Sequence, residues 1–188
     1  MNLQALAQQP FELLLELERR ARAAIAARDG TPASADEWVG IGFRLGAERF
    51  VTSRADVREV LPIPEQVTRV PGAKPWLRGI ANLRGQLLTV VDLKSFLGAG
   101  APSSDRQARV LVVASREVPT GLIVDEVIGF RRFAAVDYRP EASPGVIRCE
   151  HYLEGSYRRG TEVWPRFSLL KLLVDQQFLT AGEAVRVS

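Results

Sequence analysis

The chain has 188 residues, of which 46% are hydrophobic and 25% charged, with a formal net charge of +3. This is the composition of an ordinary globular chain, long enough to bury about two-thirds of its unfolded surface without staples. Cys149 is the single cysteine, which excludes an internal disulfide framework; no apolar run approaches the roughly 20 residues a bilayer requires, and the amino terminus lacks the order of a signal peptide, so a cytoplasmic location is expected.

Residues 10–28, PFELLLELERRARAAIAAR, place Phe11, Leu14, Leu15, Leu17 and Ile25 at helical spacings, with Glu16 and Arg20, and Glu18 and Arg22, four apart. Pro10 suits a first helical turn, and the polar stretch DGTPASADE over 29–37 reads as a linker. A face this rich in leucine must bury itself, so docking against the body or a partner is expected rather than fraying.

Beyond Trp38 the period shortens to β-like runs separated by turn residues, and the pattern repeats once. VREV at 57–60 returns as VDEV at 124–127, and each copy closes a hairpin: IGFRLGAERFVTSRADVREV turns at GAER, and RVLVVASREVPTGLIVDEV turns at SREVPT. The second part of the unit also returns, since LRGQLLTVVDLKSFL and YRRGTEVWPRFSLLKLL both set an Arg-Gly turn before a strand and a short helix. Asp92 and Ser168 stand where a side-chain oxygen would cap that helix. Two such units argue for two small barrels packed together, with Val57 and Val124 in equivalent places.

In the first unit, residues 80–83 are expected as a strand, Arg84-Gly85 as a turn, 86–91 as the next strand and Asp92 as the helix start. Gly79 and Gly85 allow positive φ or close backbone approach, and Arg84 is left projecting outward.

The string RGIANLRGQLLTVVDLKSFLG resembles the signature of CheW-type adaptors of bacterial chemosensory arrays. The likeness extends through GFRLGAERF, VREV, GLIVDEV, HYLEGSY and FSLLKLL, over residues 38–175. PFELLLELERRAR and DQQFL further resemble the PilI-type branch, the adaptors of the twitching-motility system that controls type IV pili. The resemblance implies a mainly β fold of two SH3-like five-stranded barrels, with a helix and linker over 1–37, barrels over 38–100 and 106–175, and a tail over 176–188. It implies a non-enzymatic protein without cofactor or metal that joins the cytoplasmic tip of a methyl-accepting chemoreceptor to the regulatory domain of a CheA-like histidine kinase. The kinase would hold the ATP, and membrane association would be indirect, through the receptor. An adaptor of a flagellar chemotaxis array is the alternative.

In that family the residues matching Val57, Glu59, Gly79, Asn82 and Arg84 lie in or beside the partner surfaces. Arg84 and Glu59 are the charged members and are assigned partner pairing, a guanidinium being able to fork onto a carboxylate or backbone carbonyls; Gly85, Asp92 and Ser168, and Gly79 with them, are assigned backbone geometry. Three departures stand out, the first being that the amino-terminal helix and linker are extra. Trp164 occupies a position where the family carries an aliphatic residue, and RRFAAVDYRPEASPGVIRCEH matches poorly.

Other chemistries find little support. Cys149 and His151, two apart, would share a face on a strand, but no orienting group or oxyanion site accompanies them, and they lack a second pair of ligands for zinc. GxxxxGK[ST] and GxGxxG are absent. A small β-barrel nucleic-acid module is the rival from another class, yet Phe43, Phe50 and Trp76 fall where core packing explains them as well as base stacking. The pairs Arg19-Arg20, Arg131-Arg132 and Arg158-Arg159 are read as three separate solvated faces rather than one patch.

Overall fold

A computed structural model describes residues 37–103, 106–115, 118–141 and 145–180. The expected amino-terminal helix over 10–28 and its linker lie outside these residues, apart from Glu37.

Eleven strands are found among the described residues: β1 (Glu37–Leu45), β2 (Glu48–Ser53), β3 (Val57–Pro62), β4 (Leu77–Leu83), β5 (Gln86–Asp92), β6 (Arg109–Val113), β7 (Thr120–Val124), β8 (Glu126–Ala134), β9 (Tyr138–Arg139), β10 (Leu153–Arg159) and β11 (Glu162–Phe167). Three short helices, α1 (Leu93–Phe96), α2 (Leu169–Leu173) and α3 (Gln176–Leu179), follow the two Arg-Gly hairpins. The strands form two mixed sheets, ordered β8-β1-β2-β11-β10-β9 and β3-β6-β7-β5-β4. Parallel pairing joins β5 to β7 and β11 to β2, while the hairpins are antiparallel.

The order of the sheets corrects the expected division of the chain near residue 100. Each sheet takes its first hairpin from one repeat and its remaining strands from the other: β1 and β2 lie beside β8 and β11, and β6 and β7 lie beside β3 and β5. The chain crosses between sheets after β2, through a 3-10 turn at Arg54–Asp56, and again after β7. Each half thus supplies a hairpin to one sheet and its later strands to the other, but the expected equivalence of Val57 and Val124 fails. Pairing between halves satisfies the edges that each hairpin leaves open, which sequential barrels would have left to their own halves.

The V-x-E-V segments sit at these crossings without being in register. Val57 opens β3 and pairs with Val113, whereas Val124 closes β7 and pairs with Arg109.

Three apolar clusters hold the fold. The largest lies between the sheets and joins Ile41, Phe43, Leu45 and Phe50 to Val91, Leu111, Leu122 and the inner faces of α2 and α3. Alternate residues of the five-stranded sheet, among them Leu88, Val90, Val110, Val112 and Ile123, build a second cluster that Leu61 of β3 and Leu83 of β4 help to cover. These last two strands are the opposite edges of the sheet, so it curls around its own core. After Arg109 the β6 run RVLVV is apolar without alternation, because both faces of the strand are buried there. In the six-stranded sheet Val51, Phe133, Tyr157 and Trp164 form the third cluster, with Phe133 and Tyr157 stacked at 4.6 Å between centroids. Trp164, the departure from the family pattern, is a core residue only 3% exposed.

Candidate functional site

The β4–β5 hairpin turns on two residues that both have positive φ, Arg84 at 52° and Gly85 at 84°. That is the backbone sense of the two-residue turn that matches strand twist. Arg84 is the one non-glycine residue with positive φ among the described residues, a conformation that costs an L residue roughly 1–2 kcal/mol. Asn82 steadies the turn, its side-chain Oδ1 accepting from the Gly85 N–H at 2.9 Å.

Curling of the sheet carries this turn to β3 at the opposite edge. The Arg84 Nη2 lies 3.2 Å from the Glu59 Oε2, and the Arg58 Nε approaches the other oxygen at 3.6 Å. Arg58 also donates from Nη1 to the Gln86 Oε1 at 2.7 Å. Arg58, Glu59, Leu83, Arg84 and Gln86 together line an open depression of about 420 Å³. Arg84 is 75% exposed at its side chain and Glu59 only 21%, so the carboxylate aims the guanidinium while leaving most of its donors to solvent. An ion pair this exposed adds little to stability.

The five residues assigned to partner contact do not share one surface. Glu59, Asn82 and Arg84 come together, and Leu87, the cross-strand partner of Asn82, adds an exposed apolar side chain beside them. Val57 is buried in the inter-sheet core, because it is the residue at which β3 leaves the 3-10 turn and alternation points it inward. Gly79 is buried as well, at a φ of 138°, and a Cβ there would stand 2.1 Å from the Thr68 carbonyl oxygen. Its place is set by the bridge between Thr68 and Ile80, in which both N–H groups donate across at 2.8 Å. Val57 is therefore held by core packing, and Gly79 by the close backbone approach expected of it. Leu87 was not singled out from the sequence: in QLLTVVD consecutive leucines conceal which one faces out.

At the end of β5 away from the turn, two buried carboxylates, Asp92 and Asp125, hold α1 to the segments around it. Asp92, fully buried, accepts from the Ser95 N–H at 2.9 Å as the cap of α1 and from the Ser103 N–H at 2.8 Å. Ser168 caps α2 through the Lys171 N–H at 3.4 Å. Asp125, at the crossing from β7 to β8, accepts from Lys94 Nζ at 2.9 Å, from the Gly46 N–H at 2.6 Å and from the Ser103 hydroxyl. Burial pushes the Asp125 carboxyl up, but these hydrogen bonds and the Lys94 charge outweigh it and hold the group below its ordinary value of 3.8. The VDEV motif signalled a strand, not this hub, since its donors are distant in sequence.

Cys149 and His151 are not neighbours on a strand. Cys149 precedes a 3-10 turn at Glu150–Tyr152 and is 2% exposed, whereas His151 is exposed. Burial first, then the charges of Glu150 and Glu48, push the thiol up to about 12, so it is neutral and a poor nucleophile at physiological pH. Among the described residues no cluster of three or more His, Cys, Asp or Glu could hold a metal, and no helix is long and apolar enough to cross a membrane.

Comparison with known proteins agrees with this architecture. The model of the CheW-like domain matches residues 39–177. The chain is 38% identical over 172 residues to the protein PilI of Pseudomonas aeruginosa, covering 92% of this chain and 96% of that protein. It is 27% identical over 135 residues to the chemotaxis protein CheW of Klebsiella aerogenes, covering 72% of this chain and 81% of that one. The crystal structure of the scaffolding protein TtCheW from Thermoanaerobacter tengcongensis superposes with a TM-score of 0.64 at 24% identity, over 80% of this chain and 99% of that chain, a likeness of fold. With a family model spanning most of its length and a relative 38% identical over 92% of it, this chain belongs to the CheW-like domain family.

Proposed function

We propose that this chain is a non-enzymatic adaptor that couples the cytoplasmic tip of a methyl-accepting chemoreceptor to the regulatory domain of a CheA-like histidine kinase, in the pathway that controls type IV pilus twitching motility. The observation that carries the reading is the Arg84 turn: a strained, exposed arginine oriented by Glu59, with Asn82 and Leu87 beside it. Strain kept at an exposed residue is more economically explained by recognition than by stability. The guanidinium would fork onto a partner carboxylate or backbone carbonyls, and Leu87 would be covered at the same time. Similarity to the Pseudomonas aeruginosa protein over nearly its full length supports the pilus branch.

The test is purification of tagged protein from its own cells, with identification of the attached kinase and receptor, beside the Arg84→Glu variant. Recovery of a pilus-system kinase and receptor, lost in the variant, is expected. Recovery of a flagellar kinase would move the protein to the flagellar branch, and recovery of neither would overturn the coupling role.

A further inference from the structure

The sequence presents the pairs Arg131-Arg132 and Arg158-Arg159 far apart, but the six-stranded sheet brings members of both to one cleft. Arg44, Arg49, Arg131, Arg132 and Arg159 line a cavity of about 480 Å³ with Glu126, Glu162, Ile128, Phe133 and Trp164. This lies within the roughly 300–1,000 Å³ usual for small-ligand sites. It belongs to the sheet opposite the one that carries the Arg84 turn.

Cross-strand pairing explains how the charge gathers. Arg44 on β1 stands opposite Arg49 on β2, and Arg159 on β10 opposite Glu162 on β11. Like charges directly opposite one another are unfavourable, and each of the first two has a carboxylate nearby: Arg44 Nε meets Glu126 at 3.0 Å, and Arg49 Nη1 meets Glu162 at 3.5 Å. Arg131 lies over the Trp164 ring at 5.2 Å and donates to the Phe130 carbonyl at 3.1 Å, with no carboxylate paired to it among the described residues. Among the described residues, no carboxylate lies within ion-pair distance of Arg132 or Arg159. Five guanidinium groups therefore face two carboxylates, a surplus of three positive charges in a concavity floored by aromatic rings.

We infer that this cleft binds a compact polyanion carrying two or more phosphoryl groups. The cationic lining is arginine alone, without lysine, and each guanidinium offers a planar fork matched to phosphate oxygens. The surplus of positive charge complements the multiple negative charge of a small polyphosphate, and the concavity suits a compact ligand better than an extended strand. The phosphoryl groups are carried either by a free ligand, as in a nucleoside triphosphate, or by a phosphoinositide headgroup. The site does not depend on the coupling role proposed above.

Calorimetric titration of the full chain with inorganic triphosphate at low ionic strength tests the inference. Saturable one-to-one binding is expected, weakened about tenfold by Arg132→Ala and by Arg159→Ala, each removing charge-assisted bonds. Arg158→Ala removes the same charge from a neighbouring residue outside the cleft and should leave affinity unchanged. Thermal unfolding of all three variants should stay close to the parent, which separates lost binding from lost fold. Parallel titrations with ATP, and with phosphatidylcholine vesicles containing phosphatidylinositol phosphate, distinguish the free from the displayed source. Absence of saturable binding, equal weakening by Arg158→Ala, or tighter binding of a hexaglutamate peptide or a single-stranded oligonucleotide than of triphosphate would overturn it.

Discussion

Arg84 and Glu59 meet at 3.2 Å although they belong to the two opposite edges of the five-stranded sheet. The pair closes the curl at its rim and sets the direction of an arginine that its own backbone holds at positive φ. Because Arg84 is 75% exposed, Arg84→Glu should change unfolding free energy by less than about 0.5 kcal/mol while abolishing co-purification of kinase and receptor. Urea unfolding and pull-down of the same preparation read the two effects. Loss of fold, or unchanged capture of both partners, would show that Arg84 has another role.

Gly79 and Gly85 flank the same hairpin and should respond differently to alanine. At Gly79 the new methyl would stand 2.1 Å from a backbone oxygen, and at Gly85 it meets nothing within 4 Å. Gly79→Ala is expected to cost about 3 kcal/mol or more through displacement of the Thr68 bridge, and Gly85→Ala about 1 kcal/mol from backbone conformation alone. Denaturant midpoints at constant slope decide the ranking.

Asp92→Ala removes the cap of α1 and leaves the Ser103 N–H without its acceptor. A lost cap costs about 1 kcal/mol and an unsatisfied buried donor about 1–3 kcal/mol, so a total near 3 kcal/mol is expected. Ser168→Ala, which loses a single longer bond, should cost about 1 kcal/mol. Equal losses would mean that Asp92 serves only as a cap.

Asp125 should govern the acid limb of stability. Its folded value lies below 3.8, so it contributes stability that is fully present above that value and is lost as pH falls through the lowered folded value. Lys94→Met, which removes the nearest cation from a pair only 16% and 9% exposed, should destabilise the protein by about 3 kcal/mol at pH 7. The gap between parent and variant should narrow below pH 4, as Asp125 becomes protonated in both. A gap that stays constant from pH 7 to pH 3 would exclude this carboxylate as its source.

The Cys149 thiol, buried and pushed up to about 12, should resist maleimide at pH 7.5 in the native state and react promptly once the chain is unfolded. Rapid native-state labelling, followed by mass spectrometry, would show that the 3-10 turn opens readily.

Local chemistry alone made much of this protein legible. The Arg84-Gly85 turn, the caps at Asp92 and Ser168, and the alternation of Ile41, Phe43 and Leu45 depend on neighbours within a few residues, so their pattern survives in the sequence, whereas the second turn falls at Gly160-Thr161, one residue beyond the Arg-Gly pair read for it. The motifs around the first turn also carried the family. Which strands pair is a different kind of question, because hydrogen bonding between edges is indifferent to sequence distance and β2 can find β11 as readily as a nearer strand. The exchange of hairpins between repeats, the burial of Val57, the Thr68 carbonyl above Gly79 and the Asp125 hub all follow from that long-range choice. So does the gathering of Arg44, Arg131, Arg132 and Arg159, which stand on three strands and become neighbours only when the six-stranded sheet assembles and curls.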